Sequence, residues 1–353
     1  MKTTFKHIFL IFCVCLLTCL SGCGVKGSSF TAFNTFVYID TYGQTFSKNQ
    51  EKEIKNTLIS LENTFSATRE GSFIAKINNA DSEKVVSENA TEHEVFSLAK
   101  EYFSFSQGKF NPAIYPLLKL WGFAPKYPVL NFNLPSDSEV LSTLAYTDFS
   151  KISLTESGVI KQEKNLQLDF GGFLKGYATD LVGKALRSSG ITQGYVSMGG
   201  SSLYLLGVES LTINHPEKSG ESILSVVGTS LNNFSVSTSG TYERFYTFDD
   251  QTYSHIIDSQ TGKPSQKNIL SATIICKDGA FADAMTTALC LCDYLPTSPT
   301  ENELADFINQ IELRQPEAQI YVVYNDGATK QLITNSPSSS FTLLDKTYQQ
   351  VQI

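Results

Sequence analysis

The chain has 353 residues, 41% of them apolar and 12% aromatic, with a formal net charge of −8. That is enough apolar material for a substantial core, in one large domain or two closely joined ones. An acidic chain with few basic clusters excludes nucleic acid as a partner. The odd number of cysteines that remains beyond the first 23 residues argues against a disulfide framework.

The first residues read as a targeting segment. Lys2 and Lys6 precede an apolar stretch over residues 8–17, too short to cross a bilayer as a lone anchor. Leu20-Ser21-Gly22-Cys23 is similar to a bacterial lipobox, in which the cut falls before the cysteine and its thiol carries a lipid. An ordinary secretory signal with an incidental cysteine is the alternative. We expect a signal over 1–22, a lipidated tether over 23–35 and one folded domain over 36–350. The mature protein would then lie outside the cytoplasm, held to a bacterial membrane through Cys23. Of the remaining cysteines, Cys290-Leu-Cys292 lacks metal-site spacing, and all three read as buried thiols, with a disulfide from Cys276 left open.

In chain order, residues 36–39 read as a strand. Residues 50–65 read as a helix, because Ile54, Leu58, Leu61 and Phe65 share one face. Residues 91–105 form a second amphipathic helix, with Thr91 as its expected cap and Glu94 three residues on. Pro112, Pro116 and the only tryptophan, Trp121, follow, as core packing or as a wall for a flat ligand. A short helix over 139–144 and a hairpin over 152–160 lead to a helix from 173 to 189 that stops at Gly190. Short strands are expected at 194–207 around a glycine corner, then at 223–227, 234–237, 245–248, 253–257 and 271–276. Helices over 281–292 and 301–313 and strands over 320–324 and 331–334 close the chain. Strands and helices come in blocks, which indicates an α+β fold with antiparallel sheet.

Four stretches carry candidate chemistry. Asp169-Phe-Gly-Gly-Phe-Leu-Lys-Gly-Tyr-Ala-Thr-Asp180 places a glycine turn before a helix with Lys175 in its first turn. Such a turn lets backbone N–H groups approach an anion, though a plain turn with a solvated lysine reads equally well. Ser237-Thr-Ser-Gly-Thr-Tyr-Glu-Arg244 offers hydroxyls, Ser239 among them, beside one of four arginines, suited to phosphate or to an ordinary β-turn. His255 sits on an expected strand before a polar turn with Asp258, as a general base or a structural histidine. Asp283 and Thr287 are four apart on a helix, so their oxygens point the same way and suit Mg²⁺ with further oxygens from a phosphate. A back-bonded hydroxyl beside a solvated Asp is the plainer alternative. No Ser/His/Asp triad, phosphate-binding loop, dinucleotide fingerprint or zinc set is evident.

Taken in order, these stretches resemble the ApbE family of FAD:protein FMN transferases, over roughly residues 36–324. The resemblance rests on the Asp169–Asp180 and Ser237–Arg244 stretches, on Ser254-His-Ile-Ile-Asp258 with Thr261-Gly262, and on Ala282-Asp-Ala-Met-Thr-Thr287. It implies an α+β, T-fold-related architecture with FAD in a cleft between two halves. It also implies Mg²⁺-dependent transfer of the FMN part of FAD to a Thr or Ser hydroxyl of a partner flavoprotein, releasing AMP. By position, Asp169 would contact the flavin or its side chain, and Lys175 and Gly171 would contact FAD. Phe110 and Asn111 would line the adenine side, Asn78, in an upstream block, would bind the cofactor, and Ile257 would pack on it. The carbonyl of Gly172, with Asp283 and Thr287, would hold the metal, and His255 would be the base. Departures are Asn111 and Ala113 where Asp and Thr are common, Ile39-Asp40-Thr41 for Met-Gly-Thr, Lys76 for Arg, and Ser201 for Asn or Asp. An FAD pyrophosphatase and a non-enzymatic FAD-binding lipoprotein are the rival readings.

Overall fold

The structure, a computed structural model, describes residues 24–81, 84–85, 89–124, 128–129, 132–155 and 158–353, with 84–85 and 228–230 in backbone only. The signal segment and Cys23 lie outside the described residues.

A nine-stranded sheet forms the middle layer. Its spatial order is Gln349–Gln352, Lys330–Thr334, Gln319–Asn325, Ile269–Cys276, Phe234–Gly240, Ser202–Leu206, Gly194–Met198, Thr35–Asp40 and Gly27–Ala32. Neighbours run antiparallel except for the parallel pair at the Gln349–Gln352 edge. Side chains alternate between the two faces, as the period of a strand requires. Val37, Ile39, Val196, Met198, Ile274 and Ile320 point into the main core under the helices. Leu205, Val236, Ile275, Tyr321, Val323 and Leu332 point the other way. There a three-stranded sheet, Val208–Asn214, Ser222–Leu231 and Phe341–Leu343, covers them.

On the helical side lie Lys48–Phe65, Ala90–Phe105, Leu174–Ser188, Gly279–Leu289 and Glu303–Arg314. The expected buried face of the first, Ile54, Leu58, Leu61 and Phe65, is the one observed. The second helix is capped by Asn89, which accepts from Glu92 N at 2.9 Å, and not by Thr91. An Asn in an extended conformation one residue ahead of the helix satisfies the orphan donor, and Thr91 is left inside the first turn.

The expected tether over 23–35 is corrected. Gly24–Val25 pairs with Phe46–Ser47, and Gly27–Ala32 pairs residue for residue with Thr35–Asp40. Phe33 and Asn34 both have φ near +55°, the left-handed pair that closes a two-residue hairpin. The Gly/Ser composition that suggests a tether is that of a short polar edge strand. The strands Val208–Asn214, Phe341–Leu343 and Gln349–Gln352 were not expected, since their short or weakly alternating sequences carry no clear period.

A smaller apolar cluster of Leu117, Trp121, Phe123, Val140 and Ile257 underlies the hairpin Phe245–Phe248/Gln251–Ser254. Trp121 Nε1 donates to Gly262 O at 2.8 Å. The proline-flanked segment is therefore core, and it supports the loop that carries His255.

Candidate active site

The site is built on the junction of two helices, Leu174–Ser188 and Gly279–Leu289. They touch through backbone. A Cβ on Gly176 would lie 2.0 Å from Gly279 O, so only glycine allows this approach. The closeness permits a reciprocal exchange. Asp283 Oδ2 on the second helix accepts from Gly176 N at 3.0 Å, and Asp180 Oδ2 on the first accepts from Gly279 N at 2.9 Å. Each carboxylate meets a donor in the first turn of the other helix, where negative charge is favoured.

The approach to the first helix is extended, but residues 166–168 form no strand. The Asn78 amide stands in for a neighbouring strand: Oδ1 accepts from Leu168 N at 2.6 Å and Nδ2 donates to Leu168 O at 2.9 Å. Asn78, expected at the cofactor, is thus buried and engaged with the backbone that aims Asp169. Gly171 N donates to Asp169 Oδ1 at 2.7 Å. The Gly171 amide, expected at the cofactor, and the Gly176 amide therefore already serve the protein's own carboxylates. Positive charge for an anion comes from side chains instead. Lys175 Nζ lies 3.7 Å from Asp283 Oδ2 and 3.5 Å from Gly171 O, and Arg244 stands at the rim.

Burial raises the Asp283 carboxyl above the usual carboxylate range, against the pull of Lys175 first and the Gly176 N–H next. Beside it runs a polar stripe on the strand Phe234–Gly240. Ser235 donates to Asp180, and Ser239 Oγ is 2.9 Å from Thr286 Oγ1 and 3.2 Å from Thr287 Oγ1. The Ser237 hydroxyl between them, and that of its cross-strand neighbour Ser202, are buried without a hydrogen-bond partner. Ser202 lies close enough to favour the ionised form of Asp283 yet outside hydrogen-bond geometry.

This donor set fits a hard cation. Asp283, Thr287 and the half-exposed Gly172 turn offer oxygen only, and two orphaned hydroxyls adjoin a desolvated carboxylate. Among the described residues there is no group of three or more His, Cys, Asp or Glu that could hold a metal, so a zinc-type set is not formed.

His255 follows the hairpin. Its Nδ1 is 3.2 Å from Arg244 O. A carbonyl only accepts, so Nδ1 carries the proton and Nε2 keeps the free lone pair. Burial first and the Arg244 charge second hold its pKa down at about 4, with Lys175 adding to the effect. Asp169 is raised by burial and pulled back by the Gly171 N–H, Arg244 and Lys175. Glu243, at the rim, is raised by desolvation and opposed by Lys175 and Arg244. Asp169, Lys175, Glu243, Arg244 and His255 thus share one electrostatic environment.

Three residues expected at the cofactor make contacts within the protein itself. Ile257 is 5% exposed, packed in the small cluster and bridged to Pro264, so its side chain supports the loop from beneath. Phe110 is buried edge-on against Tyr102 and Phe173, where it underlies Gly172. Asn111 caps a short turn, accepting from Ala113 N at 2.8 Å and donating to Thr147 O at 2.8 Å. Asp180, Glu243, Ser202 and Ser237 were not singled out from sequence. The signal for the serines was available: Ser235, Ser237 and Ser239 alternate on one strand face.

A model of the ApbE family matches residues 33–296. The chain belongs to the ApbE family. It is 31% identical over 271 residues to the FAD:protein FMN transferase of Chlamydia muridarum, covering 72% of this chain and 81% of that protein. It is 29% identical over 232 residues to the Klebsiella pneumoniae protein of the same name, covering 65% and 71%. The flavin transferase ApbE of Vibrio cholerae superposes with a TM-score of 0.73 at 23% identity, over 90% of this chain and 98% of that one. This likeness places the α+β architecture within the ApbE fold.

Proposed function

We propose that this ApbE protein is an FAD:protein FMN transferase. It would move the FMN part of FAD onto a Thr or Ser hydroxyl of a partner flavoprotein and release AMP. The observation that carries the reading is the meeting of Asp283, Thr287 and Ser239 with Lys175, Arg244 and His255 around one turn, in a chain whose relatives bear that name. Mg²⁺, held by the Gly172 carbonyl, Asp283 and Thr287, would neutralise diphosphate charge.

The chain's own groups account for the rest. Lys175 and Arg244 attract the diphosphate and hold it beside the turn. The acceptor oxygen forms a bond to the FMN phosphorus as the bond to AMP breaks, and His255 Nε2 takes the hydroxyl proton. In the free cleft burial first, then the charges of Arg244 and Lys175, hold down the basicity of His255. A bound diphosphate would offset the part that comes from the two cations. We also propose that the chain acts outside the cytoplasm, anchored through a lipid on Cys23.

The test is to incubate the protein with FAD, Mg²⁺ and a flavin-acceptor domain, following AMP and covalent fluorescence of the acceptor on a denaturing gel. A fluorescent acceptor with matching AMP is expected. AMP and free FMN with a dark acceptor would make it a pyrophosphatase, and bound, unchanged FAD would make it a carrier.

A further inference from the structure

The outer face of the nine-stranded sheet is only partly covered. The three-stranded sheet packs over it from Gly194–Met198 toward the far edge, where Tyr195 and Leu203 border its core. The face of Gly27–Ala32 and Thr35–Asp40 beyond that border has no partner among the described residues. Phe36 is 74% exposed there and Tyr38 45%, and the adjoining loop adds Tyr42 at 53%. Tyr38 and Tyr42 gather around Tyr195, with ring centroids 5.8 and 6.2 Å away.

The chain enters the fold beside this patch. Gly24 pairs with Ser47 and lies against Thr45, in the same loop as Tyr42. Gly24–Val25 and Gly27–Ala32 are strands on either side of Lys26, so Cys23 is bonded directly to the first strand, and adjacent Cα atoms are only about 3.8 Å apart. Lys26, two residues after Gly24, and Lys48, next to the Ser47 that pairs with Gly24, are exposed. Glu51 pairs with Lys55, whereas Asp40, whose Oδ1 accepts from Tyr42 N, keeps its charge at the inner edge of the tyrosine cluster.

We propose that this aromatic face seats on an anionic lipid bilayer and fixes the orientation of the domain. The inference rests on the lipobox reading of Cys23 and not on the transfer chemistry. A lipid attached one residue from the fold brings this corner to the headgroups. Tyrosine and phenylalanine on a sheet face suit the interfacial zone, with rings toward the acyl boundary and hydroxyls in water. Lys26 and Lys48 meet the anionic headgroups.

The test uses the full-length protein in phosphatidylglycerol/phosphatidylethanolamine vesicles with brominated acyl chains. Two variants report position: Phe36→Trp on the patch and Leu313→Trp, 84% exposed on the helical side. Native Trp121 is buried and gives a constant background. Tyr38→Trp is a second patch reporter should Phe36→Trp fold poorly. At least twofold stronger bromine quenching at the patch than at position 313 is expected. Equal quenching at both positions would overturn the proposal. So would an unquenched patch whose emission shifts only when the acceptor protein is added, which would make it a protein-docking face. Mass spectrometry of the extracted chain reads the lipid separately: an unmodified Cys23 removes the anchor, and the proposal fails with it.

Discussion

The two faces of the nine-stranded sheet are packed by different rules. On the outer side, the three-stranded sheet closes a dry core of Val, Leu, Ile and aromatic side chains. Polar groups there include a clasp in which Asp345 meets His215 at 3.0 Å and Lys218 at 2.7 Å, and Glu217, to which Tyr348 donates. On the helical side, between Leu174–Ser188 and Gly279–Leu289, two carboxylates, a serine stripe and two partnerless hydroxyls are buried together. Burying such groups costs free energy unless each is satisfied. A fold that keeps its outer core apolar and tolerates this seam reserves the seam for a ligand, and local rules are expected to fail at such sites.

The comparison can be broken from either side. Leu224→Ala, in the outer core, should cost about 3 kcal/mol of stability by denaturant melting while turnover per folded molecule stays unchanged. A loss of turnover in the folded fraction would couple the two faces and remove the distinction. His255→Gln should lower transfer by roughly a hundredfold, about 3 kcal/mol, with little change in stability. The pH profile sharpens this. Because the folded pKa of His255 is depressed to about 4, its neutral form persists well below pH 6.5, so the acid limb of kcat/KM for the free enzyme should fall near 4. The same shift means the unfolded chain takes up that proton first, so His255 reduces stability as pH falls from about 6.5 toward 4.

Asp180 gives the smallest and most specific effect. Burial raises its pKa to about 6, so the folded state binds this proton before the unfolded state does. The resulting stability is fully present below about pH 4 and is lost as pH rises through 6. Asp180→Asn should abolish that slope. Relative to wild type, the variant should be better by about 2 kcal/mol at pH 7.5 than at pH 4.5 in urea melts. An unchanged difference would mean that Asp180 is not desolvated as described.

The sequence carried much of this in its periods. Ile54, Leu58, Leu61 and Phe65 face the core because their spacing is helical, and Asp283 and Thr287 lie together for the same reason. Side-chain partners across the fold were not legible. Nothing in the order of residues says that Asn78 is consumed by Leu168, or that the Gly171 and Gly176 amides are taken by Asp169 and Asp283. Nor does it say that Ile257, expected on the cofactor, packs in the Trp121 cluster. Gly27–Ala32 reads as a tether because composition does not reveal the hairpin that Phe33 and Asn34 close.

If the seam holds the reacting centre, transfer depends on Asp283. Wild type and Asp283→Ala should be incubated side by side with FAD, Mg²⁺ and the acceptor domain, reading AMP and acceptor fluorescence, after circular dichroism confirms that both are folded. Our account predicts that the variant loses transfer by on the order of a thousandfold. A folded Asp283→Ala protein that labels the acceptor at the wild-type rate would contradict it.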